Sequence, residues 1–310
     1  MVDVAGLLAA YDAQMRMPTG AVPDGVSYEF DGPVLRIVGG HMGRIRPPRD
    51  VGVGGAELDR LIVRQRDYFR DRGEAVEWKH RPHDLPADIP ERLVAAGFVP
   101  GEPSAVLVGF AERVAAEPVL PDGVVLRRIV GAGDMRRFAD QQTEVHGVDC
   151  SWVAADLASR VTADPGQITI LVAEVAEVAE VAEVAGVAGV AGVAEVAEVA
   201  EIAGVAGAAE VAEVAGGAGA GGRFACTAIV EYCVGTEFAA LLGGATLPRW
   251  RGRGLYRAMI AERAREAVAR GFRLLHVDAS PASAPILLRC GFHQITSSVH
   301  YTAPGPEASP

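Results

Sequence analysis

Lysine is almost missing from this 310-residue chain. Lys79 stands alone against 28 arginines, and there is no asparagine. That skew fits a GC-rich coding sequence and says little about function. Cysteine is scarce too: Cys150, Cys226, Cys233 and Cys290 form no C-x-x-C pair. They read as reduced cytoplasmic thiols with no metal site. No stretch of about 18 uncharged apolar residues exists, so no membrane span is expected. The first residues carry Asp3 and Asp12 without a basic cluster and do not read as a signal peptide. The formal net charge is −11, but nine of the 40 acidic side chains lie in residues 172–222, which hold no Lys or Arg. The remaining body carries about −2. It lacks the broad cationic surface that nucleic acid demands, while leaving room for a local anion site.

The block 172–222 is built from Val-Ala-Glu and Val-Ala-Gly triplets. In a helix each triplet advances 300°, so the valines spiral and never form one face. In a strand they alternate faces. Neither form specifies a packing partner, and the block reads as a poorly ordered insertion. Ile168–Ala173 before it and Phe224–Val230 after it read as strands. The insertion therefore sits where a hairpin turn belongs, and long surface loops add little closure entropy.

Two distant segments match. Pro48-Arg49-Asp50-Val51-Gly52-Val53-Gly54 and Pro248-Arg249-Trp250-Arg251-Gly252-Arg253-Gly254 share P-R-x-x-G-x-G. Each precedes a helix-like run, over 56–71 and 255–269. Each run ends in Arg-Gly, and an extended segment follows, over 75–78 and 274–277. A short helix then closes in Gly-Phe at 97–98 and 291–292, before a last strand at 105–108 and 297–301. Prolines at 100, 103, 118 and 121 suggest a boundary, with one domain over 1–118 and a second over 119–310.

Residues 238–247 read as a buried strand ended by Pro248. In the loop behind it, Gly252 and Gly254 let backbone N–H groups crowd one point at a helix N-terminus. Arg249, Arg251 and Arg253 add charge for phosphate oxygens. The loop reads as a pyrophosphate cradle. A dinucleotide-binding turn is the rival, with Gly252, Gly254 and a later Asp278. Its third glycine position holds Arg257, and Pro248 interrupts the join.

From Gly243 to Ile295 the residues resemble the GNAT acyltransferase superfamily. The resemblance covers about 119–310 outside the repeat, and the N-terminal half resembles a truncated, degenerate copy. It implies a mixed α/β fold: two GNAT-like domains, each with a central mixed sheet flanked by helices. It implies acetyl-CoA as co-substrate and a small-molecule or peptide amine as acceptor, with no nucleic acid, membrane or metal. Arg249, Trp250, Arg251, Gly252, Arg253, Gly254 and Leu255 would hold the pyrophosphate. Gly244, Ala245, Thr246 and Leu247 would lie along the pantetheine arm. The first copy has Val51 and Val53 where the second has arginines, so the second is expected to bind.

Implied catalysis is direct attack of an amine on the thioester, with backbone N–H groups of Leu242 and Gly243 polarising its oxygen. The side-chain catalysts match poorly. Leu287 stands where many members have a Tyr acid. The usual strand Glu falls near Ala240, so Glu237 becomes the candidate base and Glu231 a second. Ser283 and Tyr301 are possible proton carriers, and His146 a possible groove residue. Cys290, Trp78 and Trp250 read as packing. These gaps leave a non-catalytic acyl-CoA sensor or interaction module as the alternative.

Overall fold

The computed structural model describes residues 2–175 and 222–305. The core of the repeat, 176–221, lies outside the described residues. Among those described, no helix is long and apolar enough to cross a membrane.

The first half runs α1 (Val4–Gln14), β1 (Ser27–Asp31), β2 (Val34–Val38), β3 (Gly43–Arg46), α2 (Gly55–Asp71), β4 (Val76–His80), α3 (Ile89–Ala95), β5 (Val99–Pro100), β6 (Ser104–Phe110) and α4 (Ala111–Val114). The second runs β7 (Val124–Arg128), α5 (Ala132–His146), α6 (Trp152–Ala163), β8 (Ile168–Val175), β9 (Arg223–Tyr232), β10 (Phe238–Thr246), a 3₁₀ turn Pro248–Trp250, α7 (Leu255–Ala269), β11 (Leu274–Ala279), α8 (Ala284–Arg289) and β12 (Phe292–Ala303). The helix-like runs at 56–71 and 255–269 are thus helices. Apolar spacing explains the first: α2 buries Leu58, Leu61, Ile62 and Phe69 along one stripe. β8 and β9 pair antiparallel on either side of the repeat, with Val175 opposite Arg223. They are buried almost throughout. That suits a continuous apolar strand covered on both faces.

All the described strands join one mixed sheet in the order β1-β2-β3-β4-β12-β6-β11-β10-β9-β8-β7, with β5 paired to β12. β3–β4 and β10–β11 are parallel pairs, as expected where a helix connects them. The duplicated series ends in an exchange. β6, from the first half, pairs with β11 and β12. β12 pairs through its first residues with β6 and through Val299–Ala303 with β4. Each half therefore supplies a strand to the other's part of the sheet. Helices α4, α7 and α8 pack on one face around Leu241, Leu275 and Val277. Helices α1, α5 and α6 cover the other, around Phe238, Ala240, Ile229 and Leu242.

Candidate functional site

The site lies where β10 leaves its neighbours. Its parallel pairing with β11 spans Phe238–Ala240 against Leu274–His276 and stops there, although both strands continue. On the other side Leu242 pairs with Ile229 and Ala245 with Thr227, so Gly243 and Gly244 together oppose Ala228. This is a bulge with two residues against one. Gly243 has φ +57, and a Cβ there would meet Ile229 Cδ1 at 3.1 Å. The positive φ favours glycine, and any Cβ would also make the Ile229 methyl give way by a few tenths of an ångström.

Helix α5 pins the bulge. Gln142 Nε2 donates to the Gly243 carbonyl at 3.0 Å, and Gln141 Nε2 donates to the Ala245 carbonyl at 3.1 Å. From the opposite face, Arg263 of α7 donates from Nη1 to the carbonyls of Leu242 at 3.4 Å and Ile229 at 3.3 Å. Its Nε donates to the Met259 carbonyl at 3.0 Å. The local backbone is held from both sides.

A cleft of about 700 Å³ opens beyond the bulge. Gly244, Ala245 and Thr246 form one wall, and the loop and first turn of α7 form the floor. Ser280, Ser283 and Arg289 come from the segment between β11 and the end of α8, and His146 from α5. Gly252 has φ +78 and Gly254 φ +86, and a Cβ on either would have nothing within 4 Å. Both glycines therefore face open space. They precede α7, whose first-turn N–H groups have no intrahelical acceptor. Such a concave run of amides suits an anion such as a pyrophosphate.

The structure sorts the sequence candidates. Trp250, Arg251, Gly252, Gly254, Leu255, Gly244, Ala245 and Thr246 all line this cleft. Arg249, Arg253 and Leu247 do not belong to its lining. Arg253 lies 4.6 Å over the ring of Trp250, and Leu247 is fully buried. Arg251 Nε donates to the Thr246 carbonyl at 3.2 Å, which ties the loop to the strand. Arg257 and Arg289 are the further cations in the lining.

Glu237 is not brought together with the others. It lies in the bend just before β10, six residues before Gly243, or roughly 20 Å away along an extended chain. Arg273 holds it at 3.0 Å and Gln14 at 3.2 Å. Glu231 is directly opposite Ala240 and shares its face, with His276 opposite Ala240 on the other side. It is ion-paired with Arg160 at 2.9 Å. Leu287 is fully buried, Tyr301 belongs to the first half's core with Trp78, and Cys290 packs at the margin of the α7–α8 core.

Two residues passed over in the sequence stand out. Tyr256 lines the cleft, and Arg263 is 1 % exposed. They are seven apart on α7, hence on one helix face. The available signal was an arginine between Met259, Ile260, Ala264 and Ala267, all of them buried.

The loop of the first half looks different. Val51 N–H donates to the Leu85 carbonyl at 3.1 Å. Gly52 N–H donates to Asp50 Oδ1 at 2.8 Å. A carboxylate of the chain itself takes a donor that an incoming phosphate would need. Gly54 has φ −143 and ψ 178, ordinary extended backbone.

No family profile and no curated protein sequence matches the chain. Solved structures do. A GCN5-related N-acetyltransferase from Kribbella flavida superposes with TM-score 0.57 at 14% identity, over 98% of this chain and 97% of that one. A tandem GNAT protein from the clavulanic acid biosynthesis pathway gives TM-score 0.54 at 14% identity, over 99% and 96%. A GCN5-related N-acetyltransferase from Sphaerobacter thermophilus gives 0.52 at 15% identity, over 90% and 84%. The fold is that of the GNAT acetyltransferases, in the tandem arrangement.

Proposed function

We propose that the chain is an N-acetyltransferase that moves an acetyl group from acetyl-CoA to a primary amine by direct attack. We place the active site in the second half, 119–310. One observation carries the reading. The glycine cradle at the start of α7 opens into a cleft that leads straight to a pinned bulge, where β10 and β11 part. A long ligand with an anionic end and a reactive tip fits that shape.

The chain's own groups then divide the work. Backbone amides at Gly252, Gly254 and the first turn of α7 hold the pyrophosphate, with Arg251, Arg257 and Arg289 adding positive potential. Acetyl-CoA supplies the activated acyl group. In this scheme backbone N–H groups of Leu242 and Gly243, at the bulge, polarise its carbonyl oxygen, and one such donor is worth about 10²–10³ in rate. Gln141, Gln142 and Arg263 tie down the neighbouring carbonyls, so the donors need no rearrangement. The first-half loop binds no cofactor in this scheme, because Asp50 and Leu85 engage its amides.

The test is calorimetric titration with acetyl-CoA, followed by thiol release in the presence of a panel of amines. Binding with turnover on at least one amine is expected. Absence of acetyl-CoA binding would overturn the assignment.

A further inference from the structure

Arg263 is among the most deeply buried charges of the described residues. Its guanidinium is 1 % exposed, yet its hydrogen-bond partners are three carbonyls and the neutral hydroxyl of Tyr256, and no described carboxylate lies within ion-pair distance. A cation buried without an anion is costly. Burial pulls its pKa below the ordinary arginine value, while neighbouring Tyr256 and Cys226 act in the opposite direction. Such a charge is complementary to an anion that arrives or develops beside it.

What lies beside it is the hydroxyl of Tyr256. A Cβ on Gly244 would fall 2.9 Å from Tyr256 Cε2, 3.6 Å from its hydroxyl and 3.7 Å from Arg263 Nη2. The phenol and the guanidinium therefore meet directly beneath the bulge glycine, on the cleft side. The other groups facing Tyr256 are Ser283, just before α8, and Cys226 of β9, with Arg257, Arg289 and His146 around the same cleft. Burial raises the phenol pKa, and Arg263 and Ser283 draw it back. A phenol that stays protonated at neutral pH, next to a cation that stabilises its anion, is built to give up a proton on demand.

We infer that Tyr256 is the catalytic proton donor to the departing CoA sulfur and that Arg263, beside its hydroxyl, is the positioning residue that supports it. This rests on the acetyltransferase reading above. The amine nitrogen forms a bond to the acyl carbon, and the C–S bond breaks with its electron pair on sulfur. The Tyr256 proton goes to that sulfur. The proton released by nitrogen returns to the tyrosinate through Ser283 and solvent.

The experiment combines two readouts. The first is the phenol titration of Tyr256, taken as the tyrosinate absorbance difference between wild type and Tyr256→Phe. Arg263→Met is expected to raise this titration by about one unit or more. Acetyl-CoA is expected to move it, and adenosine 3′,5′-bisphosphate, which has no thioester, is not. The second is turnover: Tyr256→Phe is expected to lose about 10²-fold in kcat with acetyl-CoA affinity unchanged. The rate limb that falls as pH rises through the phenol pKa is expected to vanish with it. Should Arg263→Met not fold, Gly244→Ala crowds the Tyr256 ring and is expected to lower kcat with it. A wild type that binds no acetyl-CoA refutes the acetyltransferase reading alone. Tyr256→Phe at full rate, or a titration indifferent to acetyl-CoA, refutes the inference.

Discussion

Glycine 254 offers the sharpest test of the cradle, because two effects of replacing it separate cleanly. Its φ of +86 lies in the left-handed region, and a Cβ there would touch nothing within 4 Å. Gly254→Ala therefore costs backbone strain alone, about 1–2 kcal/mol. For a chain of this size that corresponds to a fall in Tm of roughly 2–8 °C. Gly254→Glu bears the same strain and adds a carboxylate where the pyrophosphate lies. At about 5 Å, one charge pair repels by about 0.8 kcal/mol in bulk water and about 3 kcal/mol at an effective dielectric of about 20. With two phosphate charges, the glutamate variant is expected to bind acetyl-CoA at least about tenfold more weakly than the alanine variant, and the gap narrows with salt. Calorimetric titration at two ionic strengths measures this. Gly54→Glu is the matched control: its backbone is extended and a Cβ there also meets nothing. Neither Tm nor affinity is expected to change there appreciably. Equal affinity of the Ala and Glu variants at 254 would refute the cradle.

Three further outcomes are expected. His276 is buried with neither ring nitrogen hydrogen-bonded, and burial, against the opposing pull of Asp278, lowers its pKa to about 4. The unfolded chain then binds more protons between about pH 4 and 6.5, so stability falls as pH drops through that window, by about 3 kcal/mol. His276→Phe keeps the ring against Tyr11 and is expected to flatten that part of a urea-midpoint profile; an unchanged slope contradicts the assignment. Glu231→Gln tests the carboxylate opposite Ala240 as base. A kcat loss of about 10²-fold with intact acetyl-CoA binding supports it, and a full rate dismisses it. A fragment of residues 119–310 lacks β6, whose Val106, Leu107 and Val108 are fully buried. At about 1.5–3 kcal/mol each, their loss rivals the whole stability of a domain. Size-exclusion chromatography is expected to show aggregate, with 104–310 behaving better; a stable monomer of 119–310 argues against the exchange.

What the sequence revealed was local. Helix α7, the strands around the repeat and the glycine loop follow from spacing and turn chemistry within short windows. The exchange of β6 and β12 was hidden because pairing between segments nearly 200 residues apart leaves no mark in either. The distance of Glu237 from the bulge was hidden for a related reason. Three residues look close in a string, yet a strand rises about 3.3 Å per residue, and a carboxylate just before its first residue stays there. Tyr256 and Arg263 were masked by their helix, where an arginine among apolar neighbours passes for a surface residue until the helix is seen to be enclosed.

β12 also sets a timetable. It lies between β4 and β6, which leave the ribosome about 200 residues earlier. Until Ala303 has been made, the sheet has a gap with an unpaired edge on either side, and exposed edges invite pairing with other chains. Folding is then dominated by contacts distant in sequence, which slows it. The nascent first half must wait, its edges bare, through the whole synthesis of the repeat, and a longer repeat lengthens that wait.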